Sequence, residues 1–345
     1  MEQIGIDVHK VATQVCILTE SGAYEERRIR TEREALTKLF GGRARARVLL
    51  EAATESEWVA RHLESLGHEV IVADPGFAPM YASRSRNIKT DKRDARALCD
   101  ACRTSIYRAA HRSSESSRER RKHLVVRQAL VQTRSRMISV VRSLLRQEGF
   151  RVPSGGSKSF AKRVRQLPLT PELVVAVEPL LQTHEGLCEQ LARVDAKLEE
   201  LSKHDERVQR LVTVPSVGAV TALTFVAVID DVERFESAEK LCSYLGLVPR
   251  EYSSGEKQQR GHITKVGHRR LRSLLVECAW GILRRADPRT EALAQWATKV
   301  GLRRGKCIAA VALARKLATI LWSMLRHGRV FEPERLRRAP LALAS

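Results

Sequence analysis

Two aspartates three residues apart give the strongest chemical signal in the sequence. Asp91 and Asp94 stand among cations in the stretch 87–95, and the apolar positions that follow recur with helical spacing. Residues i and i+3 share one face of a helix, so the two carboxylates would point in the same direction. A structural alternative is that acids in the first turn of a helix complement its macrodipole, with Thr90 as the N-cap.

Two further acids are predicted on β-strands. Alternation over residues 3–9 places three apolar residues on one face of a strand and Asp7 with His9 on the other. Asp is depleted in strands, so its presence inside this run favours a specific role. Glu51 follows the apolar run 48–50, which is typical of a buried strand, and therefore lies at the carboxyl end of that strand.

Two acids on strands and two on a helix form the kind of centre that RNase H-like nucleases use. Carboxylate oxygens suit Mg²⁺, which binds through a few carboxylates together with water and substrate phosphates. Without a cation, four converging carboxylates would repel one another and some would take up protons. Two ions about 3.5–4 Å apart could hold the attacking and leaving oxygens of a phosphoryl transfer. The pattern therefore predicts a Mg²⁺ site, in which Mn²⁺ can substitute for Mg²⁺.

The segments around these acids resemble a known family. GIDVHK at 5–10, LLEAATES at 49–56 and NIKTDKRDA at 87–95 resemble the DEDD transposases of the insertion-sequence 110 family. The catalytic domain of that family is similar to the RuvC Holliday-junction resolvase. The resemblance implies that Asp7, Glu51, Asp91 and Asp94 are its four catalytic, metal-binding acids.

A second segment, 245–272, resembles the C-terminal block of the same family, in which a serine attacks DNA. The Ser-Gly pair places the match on Ser254, with Ser253 as a neighbouring alternative. An ordinary Gly/Ser turn is the structural interpretation. Glycines and cations nearby would allow a phosphate to approach. No base for the serine is obvious in this segment, so a metal held by the four acids is the expected activator.

Cations beside the acids and the serine are predicted to contact nucleic acid, although each could equally be a solvated surface residue. They are Lys92, Arg93, Arg250, Lys257, Arg260, Lys265, Arg269, Arg270 and Arg272.

Composition supports a polyanionic partner. The 345 residues include 61 Lys and Arg against 40 Asp and Glu, for a net charge of +21. No signal peptide is expected, and the apolar segment 307–325 is predicted to be a buried helix rather than a membrane span. Seven cysteines, an odd number, predict reduced thiols in a cytosol. The resemblance implies a bacterial cytoplasmic protein associated with the nucleoid. Cys99 and Cys102 are predicted to be core thiols.

The order of predicted elements indicates three segments. Residues 1–110 alternate strands near 3–9, 12–19 and 24–30 with later strand–helix units and a helix at 88–103, which suggests an α/β RNase H-like (RuvC-like) domain. Residues 111–206 are predicted to be helical. A leucine seam near their end indicates either a coiled coil or a long helical hairpin, and its residues are Leu187, Leu191, Val194, Leu198, Leu201 and Val208. Residues 207–345 are predicted to be mainly α, beginning with a turn at 212–218 that resembles a helix-hairpin-helix.

The resemblance implies a transposase that cuts and rejoins donor and target DNA through a covalent phosphoserine. It also implies guidance by a structured bridge RNA. Two alternatives remain open: a Holliday-junction resolvase that uses water, and a nucleic-acid-binding protein without catalysis. Because recombination holds several strands at once, a dimer or a dimer of dimers is expected, with active sites composed in trans.

Overall fold

The computed structural model describes residues 1–82, 90–251 and 260–338, which form two compact units, 1–113 and 114–345. The first unit is an α/β fold and the second is mostly helical, as predicted. The division into segments 1–110, 111–206 and 207–345 stays a prediction. Each unit is described in turn.

A five-stranded sheet forms the centre of the first unit. Its strands are β1 (Gln3–Val8), β2 (Ala12–Leu18), β3 (Tyr24–Arg30), β4 (Arg47–Glu51) and β5 (Glu69–Ala73). Their order across the sheet is β3-β2-β1-β4-β5. The first three strands are antiparallel neighbours, whereas β4 runs parallel to both β1 and β5. All five strands lie where the alternation of the sequence predicts them.

Helices cover both faces of this sheet. On one face, α1 (Arg33–Phe40) and α2 (Ser56–Ser65) pack with strand residues that include Ile4, Ile6 and Leu50. On the other, α3 (Asp91–Thr104) buries Ala95, Leu98 and Cys99 against the strands. Successive strand residues point to opposite faces, so Asp7, like Gly5, belongs to the α3 face.

Gly5 allows α3 to lie unusually close to β1. A Cβ on Gly5 would lie 2.1 Å from the backbone nitrogen of Cys99 and 2.2 Å from the carbonyl oxygen of Ala95. Both contacts are with helix backbone, which cannot swing aside as a flexible side chain can. The absence of a side chain at Gly5 therefore sets the distance between the strand that carries Asp7 and the helix that carries Asp91 and Asp94.

We expect Gly5→Ala to destabilise the first unit by about 3 kcal/mol, at the upper end of the cost of overpacking a core. Chemical denaturation would measure this loss. Gly42→Ala is the matched control, because a Cβ there meets no atom within 4 Å, and its effect should stay within about 0.5 kcal/mol. Equal stability of the two variants would contradict the close approach of α3.

Two long helices open the second unit. These are α4 (Glu115–Gln147) and α6 (Pro171–Lys203), and the short α5 (Phe160–Arg165) lies between them in sequence. Arg127 Nε of α4 lies 2.6 Å from Asp195 Oδ1 of α6, while Val141 packs in one cluster with Val177. The two helices are therefore antiparallel, and this is the hairpin alternative predicted for the leucine seam. The coiled-coil interpretation stays a prediction.

The remaining helices enclose one large apolar core. They are α7 (Glu206–Val212), α8 (Ala219–Ile229), α9 (Ala238–Tyr244), α10 (Arg269–Arg284), α11 (Glu291–Arg304), α12 (Lys306–Arg326) and α13 (Pro333–Arg338). Leu198 and Val208 of the predicted seam belong to this core, which shows that the seam is used within the chain. A two-stranded hairpin, β6 (Pro249–Glu251) and β7 (Arg260–Ile263), extends from it.

Two of the predicted apolar features are confirmed as parts of a core. By length and composition α12 could cross a membrane, but Leu313, Leu317 and Leu321 are buried in the core of the second unit. The Sγ atoms of Cys99 and Cys102 are buried beside Gln3, and all seven cysteines of the chain are free thiols.

Candidate active site

Parallel pairing of β1 with β4 places Asp7 beside Glu51. The register pairs Ile6 with Leu50, and the two acids are the next residue on each strand. Both therefore lie at the same end of adjacent central strands and point to the same face, since side chains alternate along a strand. The side chain of Asp7 is 13% exposed, so this carboxylate is largely removed from water.

The first turn of α3 carries the other two acids. The helix begins at Asp91 rather than at the predicted residue 88, because the Thr90 hydroxyl accepts a hydrogen bond from the Arg93 backbone N–H. Asp91 is 57% exposed at the rim, whereas Asp94 is buried at 6%. The N-cap predicted as a structural alternative is thus present, and it coexists with a pair of carboxylates directed at the strand acids.

His9 joins the strand and the helix. Its Nε2 lies 3.3 Å from Asp7 Oδ2 and 3.5 Å from Asp91 Oδ1. Potential ligand atoms of these three residues all lie within 4.8 Å of one another, close enough to share one cation. Among the residues the structure describes, this trio is the densest set of candidate ligands at the carboxyl end of β1.

The pKa of Asp7 is affected by burial, by His9 and by the three other candidate acids. Burial raises the pKa of the Asp7 carboxyl above its usual value, and His9 partly offsets this. Asp94, Asp91 and Glu51 each raise the Asp7 pKa further by charge repulsion. The donor atoms of the site are carboxylate oxygens with one imidazole nitrogen. This donor set fits Mg²⁺ or Mn²⁺.

Two residues of the site have no assigned role in the sequence analysis. His9 could have been recognised, because the strand alternation places it on the face of Asp7. Tyr81, in a short 3₁₀-helix at Ala78–Tyr81, donates its hydroxyl to Glu51 Oε2. No spacing in the sequence relates Tyr81 to Glu51, so only the fold reveals that contact. It orients the carboxylate at the end of β4.

We expect Asp7→Asn to raise the melting temperature of the metal-free protein near pH 8 by about 2–5 °C, a shift that about 1 kcal/mol produces in a domain of this size. A raised Asp7 pKa means that ionised Asp7 destabilises the fold once the pH exceeds that pKa. The gain should therefore disappear in acid, where wild-type Asp7 is protonated as well.

Added Mg²⁺ provides the control for this stability prediction. It should stabilise the wild type, by about 2.7 kcal/mol at a concentration of 100 Kd. The Asp7→Asn variant should respond much less, because it lacks a charged ligand. An identical Mg²⁺ response in the two proteins would argue against Asp7 as a ligand.

Cations near the acids differ in their availability for DNA. Lys92 Nζ lies 2.5 Å from Glu26 Oε2 on β3, so this predicted contact residue is already paired. Arg93 is exposed on the first turn of α3. A role for either residue in nucleic-acid binding stays a prediction, and Lys92 would have to exchange its partner to fulfil it.

The predicted serine site is only partly described. Ser253, Ser254 and Lys257 lie outside the described residues, between β6 and β7. Arg250, on β6, is exposed and its guanidinium lies 3.4 Å from the Thr264 carbonyl oxygen. Arg260 begins β7.

The cations after β7 include two with structural partners. Arg272 Nη1 donates to the carbonyl oxygens of Leu245, at 3.0 Å, and Val266, at 2.6 Å, so it holds two chain segments together. Arg270 pairs with Glu277 at 3.4 Å. Lys265 and Arg269 are exposed. All four stay predicted DNA contacts, but loss of Arg272 would disturb the fold as well.

The turn between α7 and α8 is the segment that resembles a helix-hairpin-helix. Ser216 has a φ of 70°, in the left-handed region that usually favours glycine. Val217 N–H donates to the Val214 carbonyl at 3.0 Å and closes the turn. A helix-hairpin-helix usually has its first glycine at this position, and Ser216 adopts the left-handed conformation in its place. Phosphate binding by the turn stays a prediction.

Comparisons with known proteins agree with this arrangement. Residues 4–149 match the family model for DEDD transposases of IS110 elements. Residues 208–295 match the model described as Transposase IS116/IS110/IS902 family. The chain is also 32% identical over 333 residues to the transposase for insertion sequence element IS1328 of Yersinia enterocolitica, covering 95% of this chain and 98% of that protein. The chain belongs to the IS116/IS110/IS902 transposase family.

Other members of the IS116/IS110/IS902 family align with nearly the whole chain. A probable family 20 transposase of Pseudomonas aeruginosa is 30% identical over 343 residues, covering 96% of this chain and 99% of the relative. The transposase for IS1111A of Coxiella burnetii is 27% identical over 333 residues, covering 95% and 90%. Both units of this family member, the α/β unit and the helical unit, therefore lie within the aligned length.

Proposed function

We propose that this protein is an insertion-sequence transposase that cuts and rejoins DNA in the bacterial cytoplasm, associated with the nucleoid. The observation that carries this proposal is the convergence of Asp91 and Asp94 from α3 on Asp7 and Glu51 at the ends of β1 and β4. The strand order supports an RNase H-like, RuvC-like assignment, since three antiparallel strands precede two parallel ones and the strand acids lie on adjacent central strands.

In the proposed reaction, Asp7, Glu51, Asp91 and Asp94 would hold one or two Mg²⁺ ions, for which Mn²⁺ can substitute. Bound ions would supply charge neutralisation of the phosphate and activation of the nucleophile. The chain supplies the positioning: Tyr81 orients Glu51, His9 spans Asp7 and Asp91, and Gly5 sets the approach of α3.

Ser254 is the proposed nucleophile. Its Oγ forms a bond to phosphorus as the hydroxyl proton leaves, the P–O3′ bond breaks, and the departing 3′ oxygen takes up a proton. The product is a 5′-phosphoserine and a free 3′-hydroxyl. Attack of another 3′-hydroxyl on the phosphoserine then joins new strands and releases Ser254. Two successive transesterifications of this kind consume no external energy source.

The proposed partners are donor and target DNA and a structured bridge RNA that pairs with both. The net charge of +21 supports a polyanionic partner but carries no sequence information. Base pairing by the RNA would select sequences, and the protein would hold the backbones. The exposed cations Arg93, Lys265 and Arg269 are candidates for such backbone contacts.

The experiment that tests this proposal is detection of a covalent protein–DNA adduct. The full-length protein is incubated with end-labelled DNA of the element, its non-coding RNA and Mg²⁺, and the products are separated under denaturing conditions. A labelled protein band that disappears after protease treatment is expected. Cleavage without an adduct would favour the alternative supported by the same four acids, a water-using nuclease such as a Holliday-junction resolvase. Intact binding without any cleavage would favour a non-catalytic DNA-binding protein.

Assembly gives a further prediction. The four acids and Ser254 belong to different units of the chain, and we propose a dimer or a dimer of dimers in which Ser254 of one protomer acts with the acids of another. A mixture of Asp94→Asn and Ser254→Ala chains should then recover part of the single-strand cleavage that each lacks alone. If hetero-assembly on DNA is demonstrated and the mixture stays inactive, the serine acts in cis.

A further inference from the structure

The corner between α11 and α12 exposes apolar and basic side chains together. The two helices are separated by a single residue, Gly305, whose φ of 90° ends α11 and starts α12. All residues from 302 to 308 are exposed, and this segment is called the α11–α12 tip. Leu302 is 84% exposed, the highest value among the large hydrophobic side chains in the part of the chain that the structure describes.

The helical residues on either side of the α11–α12 tip are packed in the core. Val300 and Trp296 of α11 and Ala309 and Leu313 of α12 are buried in the core of the second unit. A Cβ on Gly301 would lie 3.5 Å from the Ala309 Cβ, so the helices approach closely just behind the tip. Leu302 therefore projects from a packed helical corner and does not belong to a loose chain end.

The charge of the tip has one sign. The sequence from 292 to 331 contains no Asp or Glu, while Lys299, Arg303, Arg304 and Lys306 surround Leu302 along the chain. All four cations are exposed, and none makes an ion pair or side-chain hydrogen bond with any residue that the structure describes. Elsewhere in the helical unit, some exposed arginines, such as Arg165, are paired with acids, whereas others, such as Arg193, have no acidic partner among the described residues. The tip is therefore open to an external polyanion.

We propose that the α11–α12 tip binds duplex DNA, with Leu302 inserted between two base pairs from the minor groove and the cations on the flanking phosphates. A single exposed leucine is common and by itself indicates nothing. Leu302, however, lies on a helical corner that is packed in the core and is surrounded by unpaired cations. DNA-bending proteins use such an arrangement, because an apolar side chain unstacks one base-pair step while cations bind the phosphates of both strands. The proposal rests on DNA as a substrate, but on neither Ser254 nor the acids.

Duplex DNA fits the tip better than an anionic membrane. A membrane-binding helix would present a continuous apolar face, but the apolar face of α12 is buried in the core. Only Leu302 and Ile308 are exposed large apolar side chains at the tip, and unpaired cations are close to both in sequence. This combination suits one insertion site in a charged groove.

The test compares binding of the full-length protein, without Mg²⁺, to two 30-base-pair DNA duplexes. One duplex is fully matched and the other has a central mismatch, where unstacking costs less. Fluorophores at the duplex ends report bending by energy transfer. The wild type should bind the mismatched duplex about tenfold more tightly, because the mismatch removes part of an unstacking cost of a few kcal/mol. It should bend both duplexes.

Leu302→Ala should lose most of the mismatch preference and of the bending, and Leu302→Phe should retain both. Arg303→Ala with Arg304→Ala should weaken binding to the two duplexes equally and reduce the salt slope of log K by about 2. Val175→Ala is the matched control, because Val175 is 75% exposed on α6 and the charged residues nearest to it in sequence, Glu172 and Glu178, are acids. It should behave like wild type.

Retention of both bending and mismatch preference by Leu302→Ala would overturn the proposal. The proposal would also be overturned if the protein bound anionic vesicles, or an RNA duplex of the same sequence, more tightly than duplex DNA, and if Leu302→Ala weakened only that binding. If the wild type binds no DNA at all, the proposed function fails as well. If it binds and cleaves DNA but Leu302 has no effect on bending, only the proposal for the tip fails.

Discussion

Asp94→Asn should reduce Mg²⁺-dependent strand cleavage by more than about 100-fold while leaving the fold intact. Loss of a residue that merely supports a metal ligand costs about 10–100-fold, and loss of a ligand should cost more. Asp94 is buried at 6% and raises the pKa of Asp7, so it faces the other carboxylates rather than solvent. Its replacement by the isosteric amide removes charge with little change in volume. Cleavage of labelled DNA across a Mg²⁺ titration measures the effect.

Asp100→Asn is the matched control for Asp94→Asn. Both residues lie on α3, but Asp100 Oδ1 accepts a hydrogen bond from the Tyr24 hydroxyl at 2.5 Å instead of facing Asp7. The control variant should lose some stability and keep its cleavage rate at saturating Mg²⁺. Full activity of Asp94→Asn, or equal losses in the two variants, would show that the acids on α3 serve only the structure of the helix.

Ser254→Ala should abolish the covalent protein–DNA adduct and lower strand exchange by more than about 10⁴-fold, as removal of a catalytic nucleophile does in other enzymes. Alanine lacks the Oγ that would bond to phosphorus. DNA binding should be unchanged, because the cations and the four acids remain. Adduct formation and DNA affinity are measured in the same reaction mixtures.

Ser253→Ala is the control that assigns the nucleophile. It should retain the adduct if Ser254 is the attacking residue. An adduct lost in Ser253→Ala but kept in Ser254→Ala would move the assignment by one residue. Cleavage that persists in both variants without an adduct would mean that water is the nucleophile, and the four acids alone would then account for the chemistry.

The strands and the four acids were predictable because their signals are local. Alternation around Asp7 and the apolar run before Glu51 each define a strand end, and parallel pairing then brings the two ends together. The Thr90 cap was visible as a residue type, although the helix begins three residues later than predicted. RuvC-like chemistry at this site still depends on the resemblance and on the experiments above.

Contacts that depend on distant chain segments were not predictable. His9 reaches Asp91 only because α3 packs against β1, and Tyr81 reaches Glu51 only through the intervening fold. Arg272 was interpreted as a DNA contact because it lies in a basic cluster. The structure shows that it also holds the carbonyls of Leu245 and Val266, which no periodicity of the sequence encodes.

The pairing of β1 with β2 also suggests where the protein can be labelled. Gln3 pairs with Leu18, and Val8 pairs with Thr13, so the turn after β2 lies at the end of the sheet remote from Asp7. Along the strand, that separation is roughly 13 Å. Ser21 is exposed in this turn, and Cys307 is the one exposed thiol among the seven cysteines, of which Cys188 is half-buried and the others are buried. A fluorophore on Ser21→Cys in a Cys307→Ser background would follow assembly on DNA without entering the catalytic end of the sheet.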